Sequence, residues 1–214
     1  PRRRTSAGSG CPRSRGSATA PAPPAPQQQP PPRDPPRRPG ELVRPLVRSG
    51  KLYADHFGNC VFKLKTLTGD SGCEIQGTGI VPIHTLRGHE GFFVLPPVNR
   101  TSKQAVLVSS AIDAMAYRAL KPLCGWIFSV ACLALKEARR LARKLKEDGF
   151  AIISAFNPGR HGVQLAESVH LETGHSPREQ PEAGSWNSEL IAVSVPEDAP
   201  DQARTGKLTH LPTL

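Results

Sequence analysis

The first part of the chain after residue 40 alternates polar and apolar positions at strand period. The run at 60–65 alternates apolar and basic side chains, which is the pattern of a half-buried antiparallel strand. Short runs of the same kind predict further strands at 51–55, 73–77 and 91–95. An amphipathic segment at 41–49 predicts a helix that is interrupted at Pro45. We therefore expect a small β-rich α+β domain over residues 41–98.

After residue 98 the pattern changes to an alternation of apolar strands and amphipathic helices. Strands are predicted at 105–108, 126–130 and 150–156, and helices at 110–120, 133–148 and 162–173. The helix at 133–148 has an apolar stripe opposite charged side chains, and Gly149 follows as its C-cap. The wholly apolar run at 150–156 is typical of a strand in the middle of a parallel sheet. This order predicts an α/β domain over residues 99–195, Rossmann-like and with a mainly parallel sheet.

The first 40 residues have a composition that cannot form a core. They hold 12 of the 23 prolines, eight arginines and one acidic residue, Asp34. Burial of so few apolar side chains cannot offset a backbone entropy of about 1–2 kcal/mol per residue. We expect a disordered tail over residues 1–40 and a flexible C-terminal tail over 196–214. The first tail carries +7 of the formal net charge of +10, so the charge does not indicate a strongly basic folded surface.

Clustered arginines in this tail are candidate nucleic-acid contacts. They are Arg2, Arg3, Arg4, Arg37 and Arg38. Such clusters bind phosphates of DNA or RNA with an affinity that depends on salt and not on base sequence. The alternative is a solubilising linker.

Several classes of protein lack support in the sequence. It contains no P-loop, no dinucleotide-binding fingerprint and no nucleophile elbow. The five cysteines include no C-x-x-C pair, which argues against a disulfide framework and against a zinc ribbon, and most of them are expected to be small core residues. No apolar stretch reaches 18 residues and no secretory signal is present, so we expect a cytoplasmic protein without a membrane partner.

Four short motifs resemble those of Toprim-like proteins from plasmids and other mobile elements. Residues 53–62 and 74–78 resemble the small β-rich domain that precedes the Toprim domain in those proteins. Residues 108–114 resemble the first Toprim motif, in which a glutamate ends a strand. Residues 155–162 resemble the second motif, in which Ala-Phe precedes an Asp-x-Asp pair. Residues 185–187, Ser-Trp-Asn, resemble an Asp-Trp-Asn motif near the end of the family's domain.

The resemblance implies metal-dependent chemistry on phosphodiesters. In the family the glutamate acts as general acid or base and the Asp-x-Asp pair holds magnesium, a cation that prefers carboxylate oxygens. In this chain the glutamate position is Ser109, the two aspartate positions are Asn157 and Gly159, and the Asp-Trp-Asn aspartate is Ser185. Asp113 is the one carboxylate left in the matched motifs and is the candidate metal ligand. Serine has no proton that titrates near neutral pH, and neither an amide nor a glycine adds negative charge.

We therefore expect a catalytically inactive Toprim-like module of a DNA replication or mobilisation protein, which binds nucleic acid or a protein partner and needs no cofactor. The alternative is a magnesium-dependent primase-type or nuclease-type enzyme that uses displaced ligands, namely Asp113, Glu167 and His161. A cation pocket requires Asp113 to face Ser109, Asn157 and Gly159. In the inactive protein, the motifs persist because Ile112 and Phe156 fill the core, Gly162 allows close packing, and Ser109 or Ser110 caps a helix.

Overall fold

A computed structural model describes residues 39–77, 83–130 and 133–194, which form five helices and two four-stranded sheets. The helices are α1 (Pro39–Arg48), α2 (Ala111–Leu120), α3 (Leu135–Glu147), α4 (Arg160–Thr173) and α5 (Trp186–Ser194). The strands are β1 (Leu52–Ala54), β2 (Cys60–Lys65), β3 (Asp70–Gln76), β4 (His84–Gly88), β5 (Phe93–Leu95), β6 (Gln104–Val108), β7 (Trp126–Ser129) and β8 (Ala151–Ala155). The arginines of the N-terminal tail and the residues of the C-terminal tail lie outside the described residues, as does Cys132.

The first sheet has the order β1-β2-β3-β4, and all its neighbouring strands are antiparallel. Phe62 lies opposite Glu74, and Glu74 lies opposite Leu86. This row faces the interior, because Phe62 is buried in the core and Leu86 packs against it. Strand β4 was not predicted from the sequence, and it forms the edge of the sheet.

The second sheet has the order β5-β7-β6-β8. Strand β6 is parallel to both β7 and β8, whereas β5 is antiparallel to β7, so the prediction of a mainly parallel sheet agrees with the observed pairing. The expected placement of the apolar run at 150–156 in the middle of the sheet is wrong, because β8 is the last strand. Its open side is covered by the segment after α4: the Ser154 N–H donates to the Pro177 carbonyl, and the Glu179 N–H donates to the Ser154 carbonyl, both at 2.9 Å.

Helix α1 is continuous through Pro45, which corrects the expected interruption at that residue. A proline inside a helix removes one backbone hydrogen bond and is normally unfavourable by about 3 kcal/mol. Here Leu46 is buried in the core and Val43 packs against it, so tertiary contacts hold the helix on both sides of the proline.

One apolar core joins the two sheets. Leu52, Phe62 and Leu64 of the first sheet share it with Val106 and Ile127 of the second. Buried residues of α2 and α5 belong to the same core. A second core lies between the other face of the second sheet and helices α3 and α4, with Phe156 and Leu165 both completely buried. The first sheet is thereby held over the start of α2, and a domain boundary at residue 98 stays a prediction.

Two half-buried cysteines pack against this shared core, as expected from their apolar surroundings: Cys60 and Cys124. Burial raises the pKa of the Cys124 thiol to about 11, so it stays protonated near neutral pH and is a poor nucleophile. None of the described helices combines the length and the apolar character needed to span a membrane.

Candidate functional site

The start of α2 lies at the carboxyl end of β6 and is capped by two reciprocal hydrogen bonds between Ser110 and Asp113. The Ser110 hydroxyl oxygen accepts from the Asp113 N–H at 3.1 Å, and the hydroxyl donates to Asp113 Oδ2 at 2.7 Å. Ser110 has extended backbone angles, as a helix N-cap requires. The prediction that Ser109 or Ser110 caps this helix is confirmed, and the capping residue is Ser110.

Two of the other predicted site residues join Asp113 here. Val108 lies opposite Ala155 in the parallel pair β6–β8, so Ser109 and Asn157 follow neighbouring strand ends. The Asn157 N–H donates to Ser109 Oγ at 2.9 Å, and its side-chain Nδ2 donates to Asp113 Oδ2 at 2.8 Å. We name Ser109, Ser110, Asp113 and Asn157 the strand-end cluster.

Gly159, the fourth predicted position, contributes backbone geometry and no ligand. It is the N-cap of α4 with φ 116°, a conformation that side-chain-bearing residues rarely adopt. Gly162 acts differently, because a Cβ there would lie 2.0 Å from the Asn157 carbonyl oxygen. The prediction that Gly162 permits close packing of helix and strand is therefore confirmed.

The cluster does not fit a magnesium ion. Asp113 is only 3% exposed, and its Oδ2 accepts hydrogen bonds from both Ser110 and Asn157. Asn157 Oδ1 is buried without a hydrogen-bond donor in the described chain, and one neutral oxygen does not replace the carboxylates that magnesium prefers. Across residues 39–77, 83–130 and 133–194, no three His, Cys, Asp or Glu side chains come together as a metal-binding group.

The displaced ligands named by the enzyme hypothesis do not gather around Asp113. Glu167 lines an open pocket of about 400 Å³ beside Ser154, together with His170 and Arg178. His161 is an exposed residue at the start of α4. The described structure therefore gives no shared site for Asp113, Glu167 and His161.

A second carboxylate at the start of α2 was not identified as a site residue from the sequence. Glu74 is completely buried, and both of its carboxylate oxygens accept from the Ala111 N–H at 3.2 Å. Gln76 Nε2 donates to Glu74 Oε1 at 2.6 Å, and His84 Nε2 lies 3.1 Å from the same oxygen. The carboxylate thus occupies the positive end of the helix dipole.

His84 titrates under the influence of these acids. Its hydrogen bond to Glu74 is the largest cause of a raised pKa, and the charges of Glu74 and Asp113 act in the same direction, while burial opposes them. The half-exposed imidazole is therefore protonated over a wider pH range than an ordinary histidine. When protonated, it gives the buried Glu74 a positive partner.

The segment 185–187 supports the fold and not the strand-end cluster. Ser185 Oγ accepts from the Ser188 N–H at 3.0 Å, at the start of α5. The Trp186 indole N–H donates to the Ala155 carbonyl at 2.6 Å, and its ring meets Tyr117 edge-on with centroids 4.8 Å apart. Trp186 therefore fastens α5 to the end of β8.

No protein-family model and no curated protein matches this sequence. Among solved structures, the chain is similar to the primase fragment of the bacteriophage T7 primase-helicase protein, with 13% identity and a TM-score of 0.47 over 66% of this chain and 62% of that one. It is also similar to a DNA primase domain from Pseudomonas aeruginosa, with 12% identity and a TM-score of 0.40 over 77% and 58% of the two chains. The chain thus spans less than two thirds of either protein, and at these TM-scores neither likeness assigns a family.

Proposed function

We propose that the chain is a catalytically silent Toprim-like module of a DNA replication or mobilisation protein, which acts in the cytoplasm by binding nucleic acid or a protein partner. The observation that carries this proposal is the hydrogen bonding of the Asp113 carboxylate. Its Oδ2 accepts hydrogen bonds from Ser110 and Asn157, side chains of the same chain, where a catalytic carboxylate would face a cation.

The buried Glu74 does not restore an active site. A general acid or base must reach the proton that it transfers, either directly or through one water. Glu74 is completely buried, and its two oxygens already accept from a backbone amide, a side-chain amide and a histidine ring. It therefore stabilises the start of α2 and cannot contact a substrate.

Calorimetric titration of the full chain with magnesium tests the silent state. We expect no stoichiometric binding heat, and no primer synthesis or nicking of DNA in the presence of magnesium. A bound ion at 100 times its Kd would also stabilise the protein by about 2.7 kcal/mol, so thermal unfolding with and without magnesium gives a second readout. Stoichiometric magnesium binding or nuclease activity that disappears in Asp113→Asn would refute the proposal.

The arginine cluster of the N-terminal tail remains part of the proposal as a contact for DNA or RNA. Its residues lie outside the described structure, so the support is their charge and spacing alone. Replacing Arg2, Arg3 and Arg4 with serine should lower the salt dependence of nucleic-acid binding. An unchanged salt slope would show that the tail does not contact the nucleic acid and acts as a linker.

A further inference from the structure

The outer face of the first sheet carries a row of basic residues. Lys63 lies opposite Cys73, Cys73 lies opposite Arg87, and the Lys63 N–H donates to the Lys51 carbonyl at 2.9 Å. We name Lys51, Lys63 and Arg87 the basic row. Since neighbouring strands lie about 4.8 Å apart, the row extends over roughly 14 Å across the four strands.

The charges of the basic row are not neutralised within the described chain. No ion pair among residues 39–77, 83–130 and 133–194 involves Lys51, Lys63 or Arg87. Lys51 comes directly before β1, and its backbone hydrogen bond to Lys63 places the two like charges on neighbouring strands, an arrangement that weakens an antiparallel pair. Their juxtaposition is unfavourable for the isolated fold, and an external anion would relieve it.

A shallow pocket lies at one end of the row. It has a volume of about 150 Å³, and Lys51, Lys63 and Lys65 line it together with residues 49–50 and residues of β5. Asp70 is the one acid in its lining, and it lies 3.8 Å from Lys65 with most of its side chain in solvent. Three lysines against one solvated carboxylate leave the pocket positive and suited to a phosphate group.

Aromatic side chains lie beside the basic row on the same hairpin. Tyr53 is the outer-face residue next along β1, opposite Val61, and it is 44% exposed. Phe57 at the hairpin tip is 76% exposed. The tip is ordered, because the Asp55 carboxylate accepts from the backbone N–H groups of Phe57 and Asn59, both at 2.9 Å. Phe57 is therefore presented on a hydrogen-bonded turn, and Tyr53 on the strand that leads into it.

We propose that the outer face of the first sheet binds single-stranded nucleic acid, with phosphates along the basic row and unpaired bases stacked on Tyr53 and Phe57. Basic grooves flanked by exposed aromatic rings are the general means of holding single strands, because every base has a stacking face. The inference rests on the proposed function in taking nucleic acid as the partner, and it adds the surface. An acidic protein would use the lysines without needing the exposed rings.

The test is fluorescence anisotropy of a labelled oligothymidylate with the full chain over a range of salt concentrations. Lys63→Glu should weaken binding by about tenfold and flatten the salt slope by about 0.7 for each phosphate that the variant no longer neutralises. The matched control is Lys136→Glu, which makes the same charge change on the exposed face of α3. It should leave the affinity within about twofold, because Lys136 lies on α3 and outside the basic row. Both variants retain the N-terminal arginines, so that contribution to binding is the same in each.

Two further measurements distinguish weaker binding from impaired folding and identify the partner. Lys63→Glu places a negative charge beside the positive charge of Lys51. The urea midpoint of this variant should therefore not fall below that of the wild type. Tyr53→Leu should weaken binding by roughly tenfold, because the leucine side chain cannot stack on a base. Equal losses of affinity in Lys63→Glu and Lys136→Glu, or unchanged binding in Tyr53→Leu, would overturn the inference. Magnesium plays no part in this assay, so a failure here leaves the test of catalytic silence unaffected.

Discussion

Removing the Glu74 carboxylate should destabilise the protein far more than removing an ordinary sheet residue. In Glu74→Ala the buried Ala111 N–H loses its acceptor, as does the Gln76 amide. A buried donor left unsatisfied costs about 1–3 kcal/mol, and removal of the charge at the helix terminus adds about 1 kcal/mol. The His84 ring is half exposed and can be solvated, so its pairing adds little. We expect a total loss of about 3 kcal/mol, which corresponds to a Tm lower by roughly 6–12 °C for a chain of this size.

Urea denaturation followed by tryptophan fluorescence measures this loss of stability. Glu74→Gln is the matched variant, because it keeps the shape and one oxygen acceptor while it removes the charge, and its loss should be smaller. Glu74→Leu replaces the carboxylate with an apolar side chain, so it separates the contribution of the charged group to stability from that of packing. Buried ionic groups can sometimes be replaced by apolar ones without loss of stability. A Glu74→Leu protein as stable as the wild type would refute the view that the carboxylate holds the first sheet to α2.

The pH dependence gives an independent check of the same contact. Because the hydrogen bond to Glu74 raises the His84 pKa in the folded state, protonated His84 adds stability below the ordinary histidine pKa of about 6.5. That contribution disappears as the pH rises through the raised folded pKa. The stability difference between wild type and His84→Gln should therefore be larger at acidic pH than at pH 9. A difference independent of pH would contradict the pairing.

Three further substitutions, and one control substitution in α1, test the surroundings of the site by urea denaturation. Gly162→Ala should destabilise the protein by about 1–3 kcal/mol, because its Cβ would overlap the Asn157 carbonyl. The control Gly40→Ala, which has open space around it in α1, should stabilise the protein slightly. Equal effects of the two substitutions would contradict the close approach of α4 to residue 157. Asp113→Asn should cost about 1.5–3 kcal/mol by removing two charge-assisted hydrogen bonds, and unchanged stability would show that the cluster is not formed. Trp186→Phe should cost about 1 kcal/mol by removing the hydrogen bond to β8, and an unchanged midpoint would exclude that bond.

Helices α2 and α3 could be predicted because their signals are local. Helix α3 has a strict apolar stripe, with Ala138, Leu141, Ala142 and Leu145 buried, and α2 begins after a serine cap. Both signals depend on residues within one or two turns. Strand β2 was likewise predicted at its observed bounds, because alternation of apolar and basic side chains is visible over six residues.

Elements that depend on distant contacts could not be predicted in the same way. Strand β4 is at most half-buried and has no apolar alternation, and among the strands that the structure describes β3 alone pairs with it. Helix α5 buries one residue, Trp186, so it has no periodic apolar face. The apolar run of β8 suggested a central strand, yet the covering partner is the segment around Pro177, which lacks any strand pattern in the sequence. In each case the deciding partner lies elsewhere in the chain.

The inward direction of Glu74 could not be predicted from the sequence for the same physical reason. In β3 the apolar side chains Cys73 and Ile75 alternate with Glu74 and Gln76, and alternation alone would turn the apolar pair inward. The observed register does the opposite, because Phe62 lies directly opposite Glu74 in the inner row. The inward carboxylate is acceptable only because the start of α2, 37 residues away, supplies an N–H donor and a positive dipole.

The two faces of the first sheet therefore have opposite electrostatic roles. The start of a helix is ordinarily a place where a phosphate can bind, but at α2 the protein's own Glu74 already takes the Ala111 N–H. An incoming phosphate would have to displace a completely buried carboxylate that holds the sheet in place. On the outer face, the neighbouring residue Cys73 lies between Lys63 and Arg87, and no ion pair within the described part of the chain opposes their positive charge. An anionic ligand should thus bind the outer face of the first sheet, and not the strand-end cluster.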